Sequence, residues 1–169
     1  AAWPLALSER HEQAGDLVTR LLGQPDADDG LRCECALILG GAAVYADDPD
    51  RFAALHDPWS VSPPLQDPIL REAHANRSGL RALLTGDPGM ARRLIQQGRR
   101  REPGLGESVI HRWGDVLIAQ SYVWEGQAML VQQLLQPTLA ELEGRVGRRA
   151  PLSCMVAALL AAAVWEQNR

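Results

Sequence analysis

The sequence predicts an all-α fold, a single domain over residues 1–169 in which antiparallel helix pairs stack in chain order. Three stretches, 44–55 (VYADDPDRFAAL), 83–94 (LLTGDPGMARRL) and 123–134 (VWEGQAMLVQQL), align at spacings of 39 and 40 residues, and VWEQN at 164–168 opens a fourth copy. A period of about 34–47 residues built from two helical patterns and a bend is typical of α-solenoids. Composition agrees, because alanine is abundant and aromatic residues make up only 5%, which favours close helix packing over sheets.

Helix caps and apolar spacing predict the first three helices. Ser8 is a suitable N-cap for a helix over 8–23, and apolar residues at helical spacing indicate a second helix over 28–46. A short third helix over 48–56 begins with an aspartate cap and a proline at its first position. Four prolines then predict an extended linker over 57–68.

Five further helices are predicted in the second part of the chain, which gives about eight in all. The second is expected to pair with the third, the fourth with the fifth and the sixth with the seventh. The first and eighth would be halves of further pairs, so we interpret the chain as a fragment of a longer array. The predicted ranges are 68–85, 87–101, 105–125, 127–146 with a kink at Pro137, and 151 to the end.

Charge composition excludes several functions. All 17 basic side chains are arginine, which removes the phosphate-binding lysine of a P-loop and any Schiff-base lysine. The net charge is −4, whereas a nucleic-acid-binding domain normally carries a basic excess. We therefore expect no direct nucleic-acid binding, and no residue pattern indicates a cofactor.

The cysteines and the apolar segments favour a reduced, cytoplasmic setting. Three cysteines leave one unpaired whatever is bridged, and no signal peptide precedes them. Cys33 and Cys35, two apart on a helix, point in nearly opposite directions, so they are predicted to be core residues and not joint metal ligands. The apolar stretch from Met155 to Trp165 is shorter than the roughly 20 residues that cross a bilayer.

The small residues around the predicted bends resemble those of tetratricopeptide repeats. Such residues allow the two helices of a pair to approach closely. With Gly86 and Gly126 placed at the turn, three copies come into register. The residue pairs at the two small positions are Gly40 and Phe52, Gly79 and Ala91, and Ala119 and Val131.

A second resemblance covers nearly the whole chain. GDPGMARRLIQQG at 86–98 and the sequence from 122 to 169 are similar to the helical repeat region of MalT-type regulators, the large LuxR-family ATP-dependent transcriptional activators of bacteria. In that family the array lies between a nucleotide-binding module and a helix-turn-helix. The resemblance implies a domain that senses an inducer or binds a partner and relays this to domains absent here.

The inward face of the first helices is the predicted binding surface. Trp113 and Trp124 are 11 residues apart, so they share one helix face with Gln120 between them, and Trp165 repeats Trp124 one copy later. Tryptophans beside an amide could stack on a sugar or an aromatic ligand. The alternative is that Trp124 and Trp165 pack between helices. The other predicted polar members of the surface are Asn76, Arg77 and Glu34.

Other residue groups allow competing functions. Ser108, His111, Asp115 and Glu107 could serve a small helical hydrolase, but the sequence encodes neither a strained elbow nor an oxyanion hole, and an ordinary helical i,i+4 pair is favoured. The arginine runs at 99–102 and 144–149 could cap helix ends or dock an acidic partner.

The hypothesis is therefore a right-handed superhelical repeat domain of a transcriptional regulator, not an enzyme. It would bind a small-molecule inducer or a protein partner, with self-association as a further possibility. A tetratricopeptide-type scaffold that binds proteins alone is the alternative.

Overall fold

A computed structural model describes residues 10–101 and 108–168 of the chain. Within these ranges it contains eight α-helices, one 3-10 turn and no strand, so the predicted all-α fold is confirmed. The elements are α1 His11–Leu22, α2 Asp29–Tyr45, α3 Pro49–His56, the 3-10 turn Asp57–Trp59, α4 Pro68–Leu84, α5 Pro88–Arg101, α6 Val109–Trp124, α7 Ala128–Arg145 and α8 Pro151–Gln167.

Most helix ends agree with the predicted ranges to within a few residues, with two exceptions. Helix α1 begins after Arg10, which makes no side-chain cap, and the expected cap Ser8 lies outside the described residues. Helix α6 begins at Val109 and not near residue 105, because Ser108 is extended and its hydroxyl accepts the His111 N–H at 3.0 Å. Helix α7 runs unbroken through Pro137.

The bend inside each helix pair has the same backbone structure in three copies. Asp47, Gly86 and Gly126 have φ values of 54°, 82° and 70°. The residue that follows each of them is Asp48, Asp87 or Gln127. Its N–H donates a hydrogen bond to the carbonyl oxygen five residues earlier, at 2.9 Å in every case. This is a Schellman turn, which ends a helix with a residue in the left-handed conformation. The predicted repeat is therefore present in the backbone.

The first residue after each bend differs between copies. The carboxylate of Asp48 accepts the Arg51 N–H at 3.0 Å, and that of Asp87 accepts the Met90 N–H at 2.7 Å. Gln127 holds the equivalent position before α7 and makes no side-chain cap. Two copies therefore satisfy an exposed N–H at the start of the second helix, and the third does not.

The chain divides into two compact units, Ala1–Ser78 (unit 1) and Gly79–Arg169 (unit 2), and the division falls within α4. In unit 1, α2 packs against both α1 and α3. Its core contains Val18 of α1 with Cys35 and Ile38 of α2. Cys33 and Cys35 are both buried, as predicted, and burial raises the pKa of each thiol, that of Cys33 to about 11.

In unit 2 the helices pack as neighbours in the chain, α5 on α6, α6 on α7 and α7 on α8, with a further contact between α6 and α8. Leu83 at the end of α4 shares a buried cluster with Ile95 of α5 and Leu117 of α6. Gly79 is essential to this packing, because a Cβ there would lie 2.6 Å from two side-chain carbons of Ile95. The predicted pairings of the second to seventh helices are confirmed.

Candidate interaction surface and buried polar cluster

Large apolar side chains are exposed at one repeated position, the C-terminal end of the first helix of each pair. In unit 2 this position is held by Leu84, Trp124 and Trp165, which we call the apolar row. Their exposed fractions are 46%, 51% and 63%, and Tyr45 is 45% exposed at the same position in unit 1. Single exposed apolar residues are common, but one position exposed in the first helices of four successive copies is not random scatter.

More apolar surface lies beside the row in unit 2. Met90, Met129 and Leu130, just beyond the bends, are also exposed. A groove of about 520 Å³ lies between the bend from α6 to α7 and the end of α8, and it is lined by Val123, Ala128, Met129, Ala163, Glu166 and Gln167. Several of these residues flank Trp124 and Trp165 in the chain, so the groove adjoins the apolar row.

The structure divides the seven residues of the predicted binding surface between the two units. Trp113, Gln120, Trp124 and Trp165 belong to unit 2, while Glu34, Asn76 and Arg77 belong to unit 1. Trp113 is half-buried and packs against the core cluster of α6, α7 and α8, and Gln120 is also half-buried. Trp124 and Trp165 are more than half exposed, so neither is enclosed between helices.

The unit 1 members are less accessible than the prediction required. Asn76 is only 5% exposed and holds the position that buried Leu37 and Val116 hold in the neighbouring copies. It therefore lies in the core and not on an open face. Glu34 is half-buried, and its charge adds to the effect of burial in raising the pKa of Cys35.

Arg77 belongs to a buried polar cluster that sequence reasoning missed, composed of His56 of α3 with His74, Arg77 and Ser78 of α4. The two imidazole rings lie 5.2 Å apart, centroid to centroid, and His56 Nε2 lies 3.4 Å from Ser78 Oγ. Phe52 stacks on the other side of His56, with ring centroids 5.7 Å apart. His56 holds the position of buried Ile95 and Leu135 in the later copies, so an imidazole replaces an aliphatic core residue here.

Burial shifts the pKa of two members of this cluster. It lowers the pKa of His74, and a hydrogen bond to the Trp59 main chain partly offsets this effect. It also lowers the pKa of Arg77 to about 10, against a smaller opposing effect of Tyr45. The Arg77 guanidinium fits against α2 because Gly41 has no Cβ, which would lie 2.7 Å from Arg77 Nη2.

Unit 2 contains a different buried polar cluster, centred on Asp115 of α6. Its carboxylate accepts hydrogen bonds from Arg99 of α5 at 2.7 Å and from Arg112 at 3.1 Å. Arg112 also pairs with Glu141 of α7. Burial opposes the shift, but the hydrogen bonds that Arg112 donates to Glu141 and Asp115 raise the pKa of Arg112, and Arg112 in turn lowers the pKa of Glu141. This ionic network joins three helices.

The residues of the hydrolase alternative make hydrogen bonds and ion pairs that stabilise the fold. Ser108 caps α6 through the His111 N–H, and Asp115 is held by two guanidinium groups. Glu107 lies outside the described residues. The arginine runs are partly paired as well, since Arg99 contacts Asp115 and Arg148 lies 3.1 Å from Glu143.

The described residues contain neither a candidate metal site nor a candidate membrane span. No group of three or more His, Cys, Asp or Glu side chains there has a geometry that could hold a metal ion. None of the helices in the described ranges is both long and apolar enough to cross a membrane. No protein-family model, curated protein or solved structure matches the chain.

The repeat register is the sequence signal that could have identified the missed residues. Tyr45 and Leu84 align with Trp124, so the apolar row was already visible in the alignment. His56 aligns with Ile95 and Leu135, which is a polar residue in an apolar column. Comparing each column of the repeat would have found both features.

Proposed function

We propose that this chain is a protein-interaction repeat domain that binds its partner through the apolar row of unit 2. The observation that carries the proposal is the exposure of Leu84, Trp124 and Trp165 at one repeated position, between 46% and 63%. Tryptophan supplies much of the binding energy at protein interfaces, because its large ring buries apolar area at a small entropy cost.

The groove beside the row supports the same function. Its lining is mainly apolar, and the side chains that border it include the flexible Met129. Methionine adapts its shape to different partners. An apolar side chain of a bound protein segment would fill the groove while neighbouring residues of the segment cover Trp124 and Trp165.

One observation favours a second candidate, the sensing of a small-molecule inducer. The groove volume of about 520 Å³ falls within the range of about 300–1,000 Å³ that is usual for small-ligand sites. Gln127 and Gln167, which line the groove, would then supply polar contacts for the ligand.

The resemblance to MalT-type regulators supports a wider proposal, in which the domain belongs to a cytoplasmic transcriptional regulator. Binding would shift the packing between successive copies, and this change in packing would be transmitted to nucleotide-binding and DNA-binding domains. Determining the coding sequence on both sides of the chain tests this: a P-loop upstream and a helix-turn-helix downstream would support it, and other domains would contradict it.

The binding proposal is tested with a library of random peptides displayed on phage and selected on the intact chain. Selected peptides are resynthesised, and their Kd is measured for the wild type, for W124A/W165A and for the control V61A, since Val61 is 95% exposed in unit 1. Removing two tryptophan anchors is expected to weaken binding by at least about tenfold, since a hot-spot residue contributes about 2 kcal/mol or more.

Equal weakening by V61A, or none by W124A/W165A, would contradict the apolar row as the binding surface. Circular dichroism and urea unfolding of each variant establish that the fold is retained. Titration of a small-molecule library against Trp124 and Trp165 fluorescence separates the inducer candidate, because a true ligand would also compete with the selected peptides.

A further inference from the structure

A small cavity lies in unit 1 beside the buried polar cluster. It is lined by Cys33 of α2, Phe52 and His56 of α3, Trp59 of the 3-10 turn, and His74 and Arg77 of α4, among others. The volume that the centre of a water molecule could occupy in this cavity is about 10 Å³. A cavity of roughly 10–15 Å³ on this measure holds one water molecule, so no larger ligand fits.

His74 has an unused hydrogen-bonding atom at this cavity. The side chain is 6% exposed, and its ring is hydrogen-bonded to the Trp59 main chain. Since Nε2 is buried without a hydrogen-bond partner, the bond to Trp59 must use Nδ1, which donates to the carbonyl. The neutral ring then carries a lone pair on Nε2, and buried acceptors of this kind are normally satisfied by protein or by water.

Arg77 supplies the complementary chemistry. Its guanidinium can only donate hydrogen bonds, and no carboxylate of the described residues pairs with it. A water molecule in the cavity could accept a hydrogen bond from Arg77 and donate one to His74 Nε2. Both polar groups would then be satisfied by a single ligand of the size that the cavity allows.

We propose that this cavity is a binding site for one water molecule held between His74 and Arg77, and that the assembly is a proton-sensitive element that loosens unit 1 when His74 is protonated. Protonation converts Nε2 from an acceptor to a donor. The water would then face two donors, and a second positive charge would enter the surroundings of Arg77 without a carboxylate among the cavity's lining residues.

His56 of α3, whose ring lies 5.2 Å from that of His74, can only add positive charge when it binds a proton, so it does not oppose the effect. The remaining titratable groups near the cluster do not reverse it either. Cys33 of α2 stays neutral because burial raises its pKa to about 11. Tyr45 of α2 is near Arg77, and its effect on the pKa of Arg77 is smaller than that of burial. Glu72 of α4 is buried two residues before His74 and so projects from another side of the helix, while Asp57 of the 3-10 turn is exposed.

The direction of the pH dependence follows from His74. Its folded-state pKa lies below the ordinary 6.5, so between these values the unfolded chain binds more protons than the folded one. Stability therefore falls as the pH drops through 6.5, and the loss is complete below the folded-state value.

The test uses nuclear magnetic resonance on the full chain between pH 7.5 and 5 (roughly the range in which histidine titrates). At the higher pH we expect His74 to be the neutral Nδ1–H tautomer, with a water cross-peak to its ring protons. As the pH falls, the protection factors of amides in α2 and α3, which correct the exchange rates for their intrinsic pH dependence, should fall severalfold more than those in α7. The variant H74N keeps a donor for Trp59 without a titrating ring and should lose this difference, while the control H111N in unit 2 should keep it.

Several outcomes would overturn the proposal. These are a His74 pKa at or above its ordinary value, no water contact at His74, or an equal loss of amide protection in both units. If H74N does not fold, the tautomer, water contact and titration of the wild type decide alone. A second variant, H56L, introduces the aliphatic residue type of the later copies, and the exchange response should persist in it because His74 remains.

Discussion

The two units treat their buried polar groups in opposite ways. In unit 2 the carboxylate of Asp115 is matched by Arg99 and Arg112, and the ion pairs join α5, α6 and α7, while Nε of each of these arginines is buried without a hydrogen-bond partner. In unit 1 the guanidinium of Arg77 has no carboxylate partner among the described residues, and His74 Nε2 has no protein partner. One repeat architecture therefore holds a polar cluster built on ion pairs in one unit and a polar cluster without a carboxylate partner in the other.

The substitution with the largest expected effect on this comparison is Asp115→Ala. Removing the carboxylate leaves the partly buried Arg99 without its carboxylate partner and leaves Arg112 paired with Glu141 alone. Breaking a buried ion pair from one side costs about 3–5 kcal/mol. Urea unfolding of the wild type and the variant gives the free energy of unfolding.

The control is Glu125→Ala, which removes the partner of Arg92 in a more exposed pair 2.9 Å apart. Exposed pairs contribute roughly 0–1 kcal/mol. Similar losses for the two variants would show that the Asp115 network is no more important than a surface pair.

The sequence predicted the helices well because their signals are local. Asp48 with Pro49, and Asp87 with Pro88, mark helix starts through short-range hydrogen bonds and a fixed φ. The predicted start of α6 near residue 105 is wrong, because the hydroxyl of Ser108 caps the helix at Val109.

A second test concerns the close approach of α4 and α5 in unit 2. Gly79→Ala would place a methyl group 2.6 Å from Ile95 carbons and 3.2 Å from the Ala91 carbonyl oxygen. Overpacking of this kind costs about 1–3 kcal/mol.

The matched control is Gly144→Ala on the exposed side of α7, where a Cβ meets nothing within 4 Å. It should stabilise the chain by about 0.5–1 kcal/mol, because alanine loses less entropy in a helix. Thermal and urea unfolding measure both variants, and a stabilising Gly79→Ala would contradict the observed approach.

The candidate site was harder to predict than the helices. Exposure of Trp124 and Trp165 depends on which helices cover them, and spacing along one helix does not contain that information. Asn76 was expected on a surface because asparagine is polar, but its repeat column is apolar and buried. The cavity depends on contacts between α2, α3 and α4, which only the folded chain defines.

The smallest test concerns the caps. Gln127 is the one residue after the three matching bends that makes no side-chain cap, and its ψ of 58° resembles the 80° of Asp48. Gln127→Asp should therefore add a cap and stabilise the chain by about 1 kcal/mol.

Asp87→Ala should remove a similar amount by deleting the bond to Met90. Urea unfolding of the two variants compares the effects directly. A neutral Gln127→Asp would mean that the start of α7 differs from the other two in a way that the backbone angles do not reveal.

The Schellman bends have a consequence for how the chain is synthesised. Each is completed by hydrogen bonds within six consecutive residues, and the helices that it joins are neighbours in the chain. Because ring closure over such short distances is entropically inexpensive, a hairpin can form as soon as its own residues have left the ribosome. The order of translation is therefore also a feasible order of assembly.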